Sequence, residues 1–256
     1  MSIDFDDYAA GYRLAVERST SFSGRGLDFF TTVKARLLLE LISRHVGGPS
    51  GCALLDVGCG TGITDELILP HADGLVGVDT SEEMVARAGL RNPAGRYRAY
   101  DGRRLPFDDG SFDVVFAICV LHHVSPEGWD RLVADMLRVT RDGGLTCVLE
   151  HNPFNPLTRR AVSNCDFDTD AVLLTMRRTV AAFIRAGATI EDRRYYLFTP
   201  FESRALACSE RLLRRLPLGG QYVVAGRPST PGPDQASVRE ITYGSRGAGR
   251  PGDRRR

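Results

Sequence analysis

The stretch Leu54-Leu55-Asp56-Val57-Gly58-Cys59-Gly60-Thr61-Gly62 decides how the rest of the chain is organised. An apolar run from Cys52 to Val57 leads into it and predicts a buried strand. The pattern from Ile63 to Leu69 after the glycines predicts a helix. Strand, glycine turn and helix in this order are typical of a nucleotide-type ligand held at the carboxyl edge of a parallel sheet. Glycines there permit positive φ and let a ligand touch bare backbone.

The glycine spacing and the acid before it indicate which kind of ligand fits. A dinucleotide fingerprint reads G-x-G-x-x-G and directs its turn at a pyrophosphate. Here the spacing is G-x-G-x-G, and Asp56 stands where a phosphate would need positive potential. A carboxylate at the end of a strand suits a cationic ligand better. On this turn alone, a glycine turn that binds nothing remains an alternative.

A second strand is predicted from Gly74 to Val78, and it ends in Asp79. An acid roughly 20 residues beyond a glycine turn can accept hydrogen bonds from both hydroxyls of a ribose. Ser81 is placed to cap the following helix. Met84, one turn into that helix, is either a core residue or a soft surface under an adenine ring.

The next part of the chain continues the alternation of strands and helices. Asp101-Gly102 closes the third strand, and Asp113 is expected to order the start of the fourth. The expected elements are a third strand, a fourth strand, a helix, a glycine turn and a fifth strand, at residues 96–100, 113–119, 125–140, 141–144 and 145–149. These segments predict an open α/β sheet.

From about Ala53 to Glu150, the order of these motifs resembles the class I S-adenosylmethionine-dependent methyltransferases, above all the ubiquinone and menaquinone group that acts on small molecules. The quoted motifs are the glycine turn, the acids after strands two and three, Leu105-Pro106-Phe107 and the block 108–113. The resemblance implies an α/β, Rossmann-like sheet of seven strands, mostly parallel with an antiparallel last strand and helices on both faces. The ligand would be a sulfonium with an ammonium group nearby, in agreement with the carboxylates.

The resemblance also implies which residues hold S-adenosylmethionine. Asp79 would accept from the ribose hydroxyls and Asp101 from the exocyclic amine of adenine. The full expected set is Tyr12, Asp56, Gly58, Cys59, Gly60, Asp79, Thr80, Met84, Asp101 and Gly102.

Histidines at the ends of strands four and five are candidate catalytic bases. His122 and His123 follow strand four, where ligands meet an open α/β sheet. Adjacent residues point in different directions, so we expect one to face the cleft and the other to pack, with His122 facing the cleft. His151 is the second candidate. A histidine suits proton removal near neutral pH, although many methyltransferases use no base. Two adjacent histidines alone are a poor metal pattern, so no metal is expected.

Three parts are expected: residues 1–46, 47–227 and 228–256. The first would be a helical lid and first helix, with Tyr8 and Tyr12 on one helix face. The second would be the methyltransferase domain, with an insertion at about 151–174 that caps the substrate side. Its later elements are a strand, a helix and a last strand, at 189–198, 202–216 and 221–225. The third is rich in proline, glycine and arginine and is expected to be disordered.

Composition narrows the function further. The formal charge is +1, so no strong field draws the chain to nucleic acid or a membrane. The six cysteines form no C-x-x-C pair, which fits a reducing cytoplasm. No apolar run is long enough to cross a membrane. We expect a small-molecule acceptor in a biosynthetic reaction. Two alternatives remain: a nicotinamide-linked oxidoreductase, and a protein that binds S-adenosylmethionine without catalysis.

Overall fold

The structure is a computed structural model that describes residues 5–9, 11–198 and 213–229. The strands are β1 (Leu54–Val57), β2 (Leu75–Asp79), β3 (Arg96–Ala99), β4 (Phe112–Ile118), β5 (Thr140–His151), β6 (Ala188–Tyr196) and β7 (Gln221–Pro228). The helices are α1 (Tyr12–Thr20), α2 (Leu27–His45), α3 (Asp65–Ile68), α4 (Glu82–Arg91), α5 (Trp129–Val139), α6 (Pro156–Ser163) and α7 (Met176–Arg185).

One seven-stranded sheet carries the fold, in the order β3-β2-β1-β4-β5-β7-β6. Strands β1 to β5 pair in parallel, whereas β7 is antiparallel to both β5 and β6. The predicted fold class is therefore confirmed. The strand order reverses direction between β1 and β4, and ligands bind at such a point on an open α/β sheet.

The core lies on both faces of the sheet, which explains why β1 and β4 read as continuous apolar runs. Successive residues of a strand point to opposite faces. Leu55 of β1 packs in the layer beneath α5 and α7, while Leu54 packs in the layer beneath α2. In β4, Val115 and Phe116 divide between the same two layers. Helices therefore cover both faces, as expected.

Several local predictions need correction. Tyr8 and Tyr12 do not share one helix, because the 3-10 turn Phe5–Tyr8 is separated from α1 by Gly11, a poor helix former. Helix α5 begins at Trp129, later than predicted, because a turn closed by Gly128 N–H on the carbonyl of Ser125 precedes it.

Other boundaries also differ from the prediction. The turn expected at 141–144 is an irregularity inside the longer strand β5, where its register against β4 shifts. Strand β7 continues through Pro228, the residue at which the tail was expected to begin, because Pro228 is paired opposite Ala188. The helix predicted at 202–216 lies mainly outside the described residues, as do residues 230–256.

Candidate active site

The glycine turn is fixed against the end of β2. The backbone N–H groups of Gly58 and Cys59 donate to the carbonyl of Val78 at 2.7 and 3.0 Å. Gly58 has φ +79°, and a Cβ there would lie 2.5 Å from Val120 Cγ2. Gly60 has φ +51°, and a Cβ there would meet no atom within 4 Å. The turn therefore presents bare backbone to open space at Gly60, while Gly58 permits close packing against Val120.

Asp79 links the end of β2 to this turn. Its Oδ2 accepts from Gly60 N–H at 2.8 Å and its Oδ1 accepts from Ser81 N–H at 3.1 Å. Burial raises the pKa of Asp79 above its ordinary value of 3.8, against the effect of these backbone donors. Each carboxylate oxygen keeps a further lone pair, so the side chain can still accept from a ligand hydroxyl.

Behind the turn, Asp56 and Asp65 form a pair of buried acids. Among the described residues, Asp56 Oδ1 and both carboxylate oxygens of Asp65 have no hydrogen-bond partner within 3.5 Å, although the side chains of Asp56 and Asp65 interact with each other and Asp65 interacts with Tyr97. Burial, together with the charge of Asp65, raises the pKa of Asp56 well above 3.8, and burial raises the pKa of Asp65 to about 6. Asp56 also lines the cavity described next. An unpartnered buried carboxylate favours a cationic partner at this point.

A cavity of about 670 Å³ opens at the carboxyl ends of the parallel strands. The predicted cofactor residues that line it are Tyr12, Asp56, Gly58, Cys59, Gly60, Asp79, Thr80, Met84 and Gly102. Asp101 does not line it, although its neighbours Tyr100 and Gly102 do; its side chain is exposed and accepts from Arg103 N–H at 2.9 Å. Met84 is buried in α4 and also lines the cavity.

Another part of the cavity wall is aromatic and comes from the N-terminal segment and the insertion. Tyr12 stacks on Phe167 with ring centroids 5.1 Å apart, and Tyr8 meets the same ring edge-on at 6.0 Å. Phe5 packs edge-on against His123 at 4.9 Å. Helix α6 also lines the cavity, through Leu157, Thr158, Ala161 and Val162.

His122 lies in the cavity wall but is held by a buried ion pair. Its Nδ1 is 2.8 Å from Glu150 Oε2, and the two side chains are 2% and 1% exposed. Burial disfavours the charged imidazole, yet the carboxylates of Glu150 and Asp168 outweigh it and raise the pKa of His122 well above 6.5. The same pairing overcomes burial at Glu150 and lowers the pKa of that carboxyl to about 2. At neutral pH the pair is therefore an imidazolium against a carboxylate.

Asp168, which belongs to the insertion, lies close to His122 and His123. Its Oδ1 lies 3.6 Å from His122 Nε2 and 3.4 Å from His123 Nε2. Burial, reinforced by the charge of His122, lowers the pKa of His123 to about 3. Both histidines line the cavity, so the expectation that only one of the two would face it is not what the structure shows.

Polar and charged side chains also surround Cys119, which follows the end of β4. Lys34 Nζ donates to its sulfur at 3.2 Å, and Gln221 Nε2 lies 3.3 Å from His151 Nδ1. Burial opposes ionisation of the thiol, but Lys34 and His151 lower the pKa of Cys119 to about 7. Cys119 also has φ +59°, an unusual conformation for a residue with a Cβ. His151 lines the cavity and is partly exposed to it.

Site residues that were not identified from sequence include Lys34, Asp65, Cys119, Glu150, Asp168 and Gln221. Glu150 carried a usable signal, because it ends the strand next to the one followed by His122, and the ends of neighbouring parallel strands meet at one edge. Asp168 carried none, since nothing in the pattern of residues 151–174 shows where that segment folds.

Comparison with known proteins finds methyltransferases. Residues 55–148 match the family model described as Methyltransferase domain. The demethylmenaquinone methyltransferase of Beutenbergia cavernae is 35% identical over 146 residues, which is 57% of this chain and 55% of that protein. The phosphatidylethanolamine N-methyltransferase of Cereibacter sphaeroides is 39% identical over 114 residues, 42% of this chain and 54% of that protein.

A solved structure shares the fold. The S-adenosylmethionine-dependent methyltransferase of Mesorhizobium loti is 24% identical, with a TM-score of 0.54 over 70% of this chain and 92% of that one. Residues 55–148 therefore carry a methyltransferase domain by sequence, and the chain has the fold of an S-adenosylmethionine-dependent methyltransferase. The chain spans about half the length of the curated relatives it matches. Among the described residues, no helix combines the length and apolar character needed to cross a bilayer.

Proposed function

We propose that the protein transfers the methyl group of S-adenosylmethionine to a small, largely apolar acceptor of quinol, lipid or natural-product type. The observation that carries this proposal is one cavity with two different walls. The glycine turn and Asp79 form the first wall, and the aromatic residues of the N-terminal segment and insertion form the second. Donor and acceptor held in one enclosed space can reach in-line geometry, which is worth about 7–11 kcal/mol of barrier.

The first wall suits the cofactor. S-adenosylmethionine supplies an electrophilic methyl carbon on a positively charged sulfur. Asp79 would accept from the ribose hydroxyls, and Gly60 would let the ligand approach bare backbone. The unpartnered Oδ1 of Asp56 would lie on the side of the positive charges. Asp101, which is exposed beside Gly102, would accept from the adenine amine.

The second wall and its entrance suit an apolar acceptor. Leu157 lines the cavity and is 57% exposed. Phe154 and Leu218 near it are 60% and 59% exposed, and Asn155 Nδ2 donates to the carbonyl of Leu218 at 2.7 Å, which holds the two segments together. The named relatives methylate demethylmenaquinone and phosphatidylethanolamine, so an acceptor that combines an apolar body with a polar reactive group is the class we propose.

We further propose that residues 1–46 provide a lid and that the insertion at about 151–174 provides a cap on the domain spanning 47–227. Besides the stacking of Tyr12 on Phe167, Asp6 Oδ1 accepts from Ser81 Oγ and from Glu83 N–H, the latter at 3.2 Å. The N-terminal segment is thus attached to both walls. A cavity thiol at Cys119 suits a reducing location such as the cytoplasm.

If the acceptor needs a base, we assign it to His151 rather than to His122. His122 would already hold its proton at neutral pH because of Glu150 and Asp168. His151 lines the cavity from the end of β5, and its Nδ1 is oriented by the side chain of Gln221 at 3.3 Å. His122 then acts as a positioning residue that supports the cavity wall.

The test is methyl transfer from deuterium-labelled S-adenosylmethionine to two acceptors, a reduced naphthoquinol and phosphatidylethanolamine in vesicles, followed by mass spectrometry. We expect a labelled product from one of them, and none from Asp79→Ala. Tight binding of S-adenosylmethionine with no labelled product from these acceptors or from a metabolite extract would instead establish a binding protein without this activity.

A further inference from the structure

Three side chains converge on one point of the cavity wall from two distant parts of the chain. One donor atom each from His122, His123 and Asp168 lies within 4.8 Å of the others. Asp168 Oδ1 is 3.6 Å from His122 Nε2 and 3.4 Å from His123 Nε2. All three residues also line the cavity.

The two separations from Asp168 Oδ1 are too long for good hydrogen bonds but fit ligands of one metal ion. A nitrogen–oxygen hydrogen bond spans about 2.7–3.2 Å. Nitrogen and oxygen ligands about 2.0–2.2 Å from a tetrahedral ion lie roughly 3.3–3.6 Å from each other. Asp168 Oδ1, on a side chain 8% exposed, has no hydrogen-bond partner among the described residues. A buried carboxylate oxygen without a partner, directed at two imidazole nitrogens, indicates that a cation belongs between them.

The hydrogen-bond partners of His122 also support a metal ion at this point. Histidine ligands usually donate their second ring N–H to a carboxylate, which fixes the tautomer and the orientation of the ring. Glu150 Oε2 lies 2.8 Å from His122 Nδ1, which directs Nε2 towards Asp168. Glu150 is fixed in turn by backbone N–H groups of Leu121 at 2.7 Å and His151 at 3.1 Å.

We propose that His122, His123 and Asp168 bind a divalent transition-metal ion such as Zn²⁺, with at least one coordination position open to the cavity. Two imidazoles and one carboxylate are ligands that such ions accept. The ion would take the place of the proton that His122 otherwise holds, as metal binding to histidine generally does. The negative charges of Glu150 and Asp168 favour either form of positive charge at this point.

An ion in this position could hold an oxygen of the acceptor. A metal-bound hydroxyl loses its proton at lower pH, because the ion stabilises the oxygen anion. This role rests on the proposed function, whereas binding of the ion does not. The sequence predicted no metal because two adjacent histidines offered too few ligands; the third, Asp168, is contributed by the insertion through the fold.

The test is isothermal titration of the apo protein with Zn²⁺, together with visible absorption spectra of the Co²⁺-loaded protein. We expect one ion per chain and d–d bands of a site with nitrogen and oxygen ligands. Asp168→Asn and His123→Ala should each lower the affinity for Zn²⁺ at least tenfold, and Glu150→Gln about tenfold. His71→Ala, which removes an exposed histidine outside the cavity, should leave the affinity unchanged.

Binding of S-adenosylhomocysteine by each variant and its thermal melt without metal show that the variant is folded. Failure of wild-type protein to bind either ion, or equal affinity in wild type and Asp168→Asn, would overturn the proposal and leave His122 as a protonated partner of two carboxylates. Zn²⁺ binding without methyl transfer would retain the metal site while refuting the proposed function.

Discussion

The two walls of the cavity are built in different ways. The cofactor wall is held by backbone groups that donate to one carboxylate: Asp79 accepts from Gly60 N–H, 19 residues earlier in the chain, and from Ser81 N–H. The acceptor wall is held by charges: His122, which follows β4, pairs with Glu150 of β5 and lies near Asp168 of the insertion. Backbone donors therefore organise the first wall, and pairing between charged side chains organises the second.

The two walls also differ in how their charged side chains are paired. On the cofactor side, Asp56 and Asp65 are buried and Asp79 is partly buried, none of the three has a salt bridge among the described residues, and the pKa of each is raised. On the acceptor side, His122 neutralises acids whose pKa values are lowered. The cofactor wall is therefore suited to a cationic ligand. The acceptor wall carries a positive charge of its own on His122, which the proposed metal ion would replace.

The largest expected effect is on the acceptor wall, from Glu150→Ala. This change leaves the His122 imidazolium buried without its main partner, which costs roughly 3–5 kcal/mol of folding free energy. Chemical denaturation at pH 7 measures it. Glu127→Ala, which removes an exposed glutamate, serves as the control and should change stability little. A loss below about 1 kcal/mol would show that the pair does not hold this wall together.

The pH dependence of stability tests the same pair. The folded-state pKa of Glu150, about 2, is below its ordinary 4.5, so its stabilising contribution is full above 4.5 and is lost as the pH falls towards 2. The pKa of His122 is raised, so its contribution is full below 6.5 and is lost as the pH rises through the raised value. In Glu150→Gln the decline between pH 4.5 and 2 should become shallower.

On the cofactor wall, Asp79→Ala should weaken binding of S-adenosylhomocysteine by about 3 kcal/mol or more. Two hydroxyl contacts to a charged acceptor are lost, at about 1.5–3 kcal/mol each. Calorimetry measures the change, and Glu82→Ala, on the exposed first turn of α4, is the matched control. An unchanged affinity in Asp79→Ala would show that Asp79 does not bind the ribose hydroxyls.

The contrast between the walls also explains what the sequence could predict. The succession of strands and helices up to β5, the glycine turn, Asp79 at the end of β2 and the Ser81 cap follow from residues close together in sequence, and the structure contains each of them. Their geometry depends on local backbone conformation, which glycine spacing and capping residues reveal.

The acceptor wall could be predicted only in part. His122 and His151 were candidates because they end strands at the ligand edge, but the ion pair that keeps His122 protonated depends on Glu150 and Asp168. A sequence shows that Asp168 exists, not that the insertion returns it to within 3.6 Å of His122 Nε2. Tyr12 was expected in the cavity and lies there, although the helix expected to join it to Tyr8 is broken at Gly11.

A smaller effect should separate the two histidines of the acceptor wall. If His151 is the base, His151→Ala should lower kcat about a hundredfold while the affinity for S-adenosylhomocysteine stays the same. His122→Ala should instead lower stability, since Glu150 loses its counter-charge. Steady-state kinetics of both variants, with His71→Ala as control, distinguish these outcomes. An unchanged kcat in His151→Ala would mean that the acceptor reacts without this base.

The smallest effects come from one helix cap on each wall. Ser81 Oγ accepts from Met84 N–H at 3.0 Å on the cofactor side, and Asn155 Oδ1 accepts from Leu157 and Thr158 N–H at 2.9 and 3.1 Å on the acceptor side. Each change to alanine should cost about 1 kcal/mol of stability.

The two variants should affect different functional constants. Ser81→Ala loosens the loop that orients Asp79, so it should weaken S-adenosylhomocysteine binding a few-fold, about what 1 kcal/mol allows, without changing the KM of the acceptor. Asn155→Ala loosens α6, so it should raise the KM of the acceptor without changing the affinity for S-adenosylhomocysteine. If both variants changed the two constants alike, the walls would be energetically coupled, and the division between a cofactor half and an acceptor half would not hold.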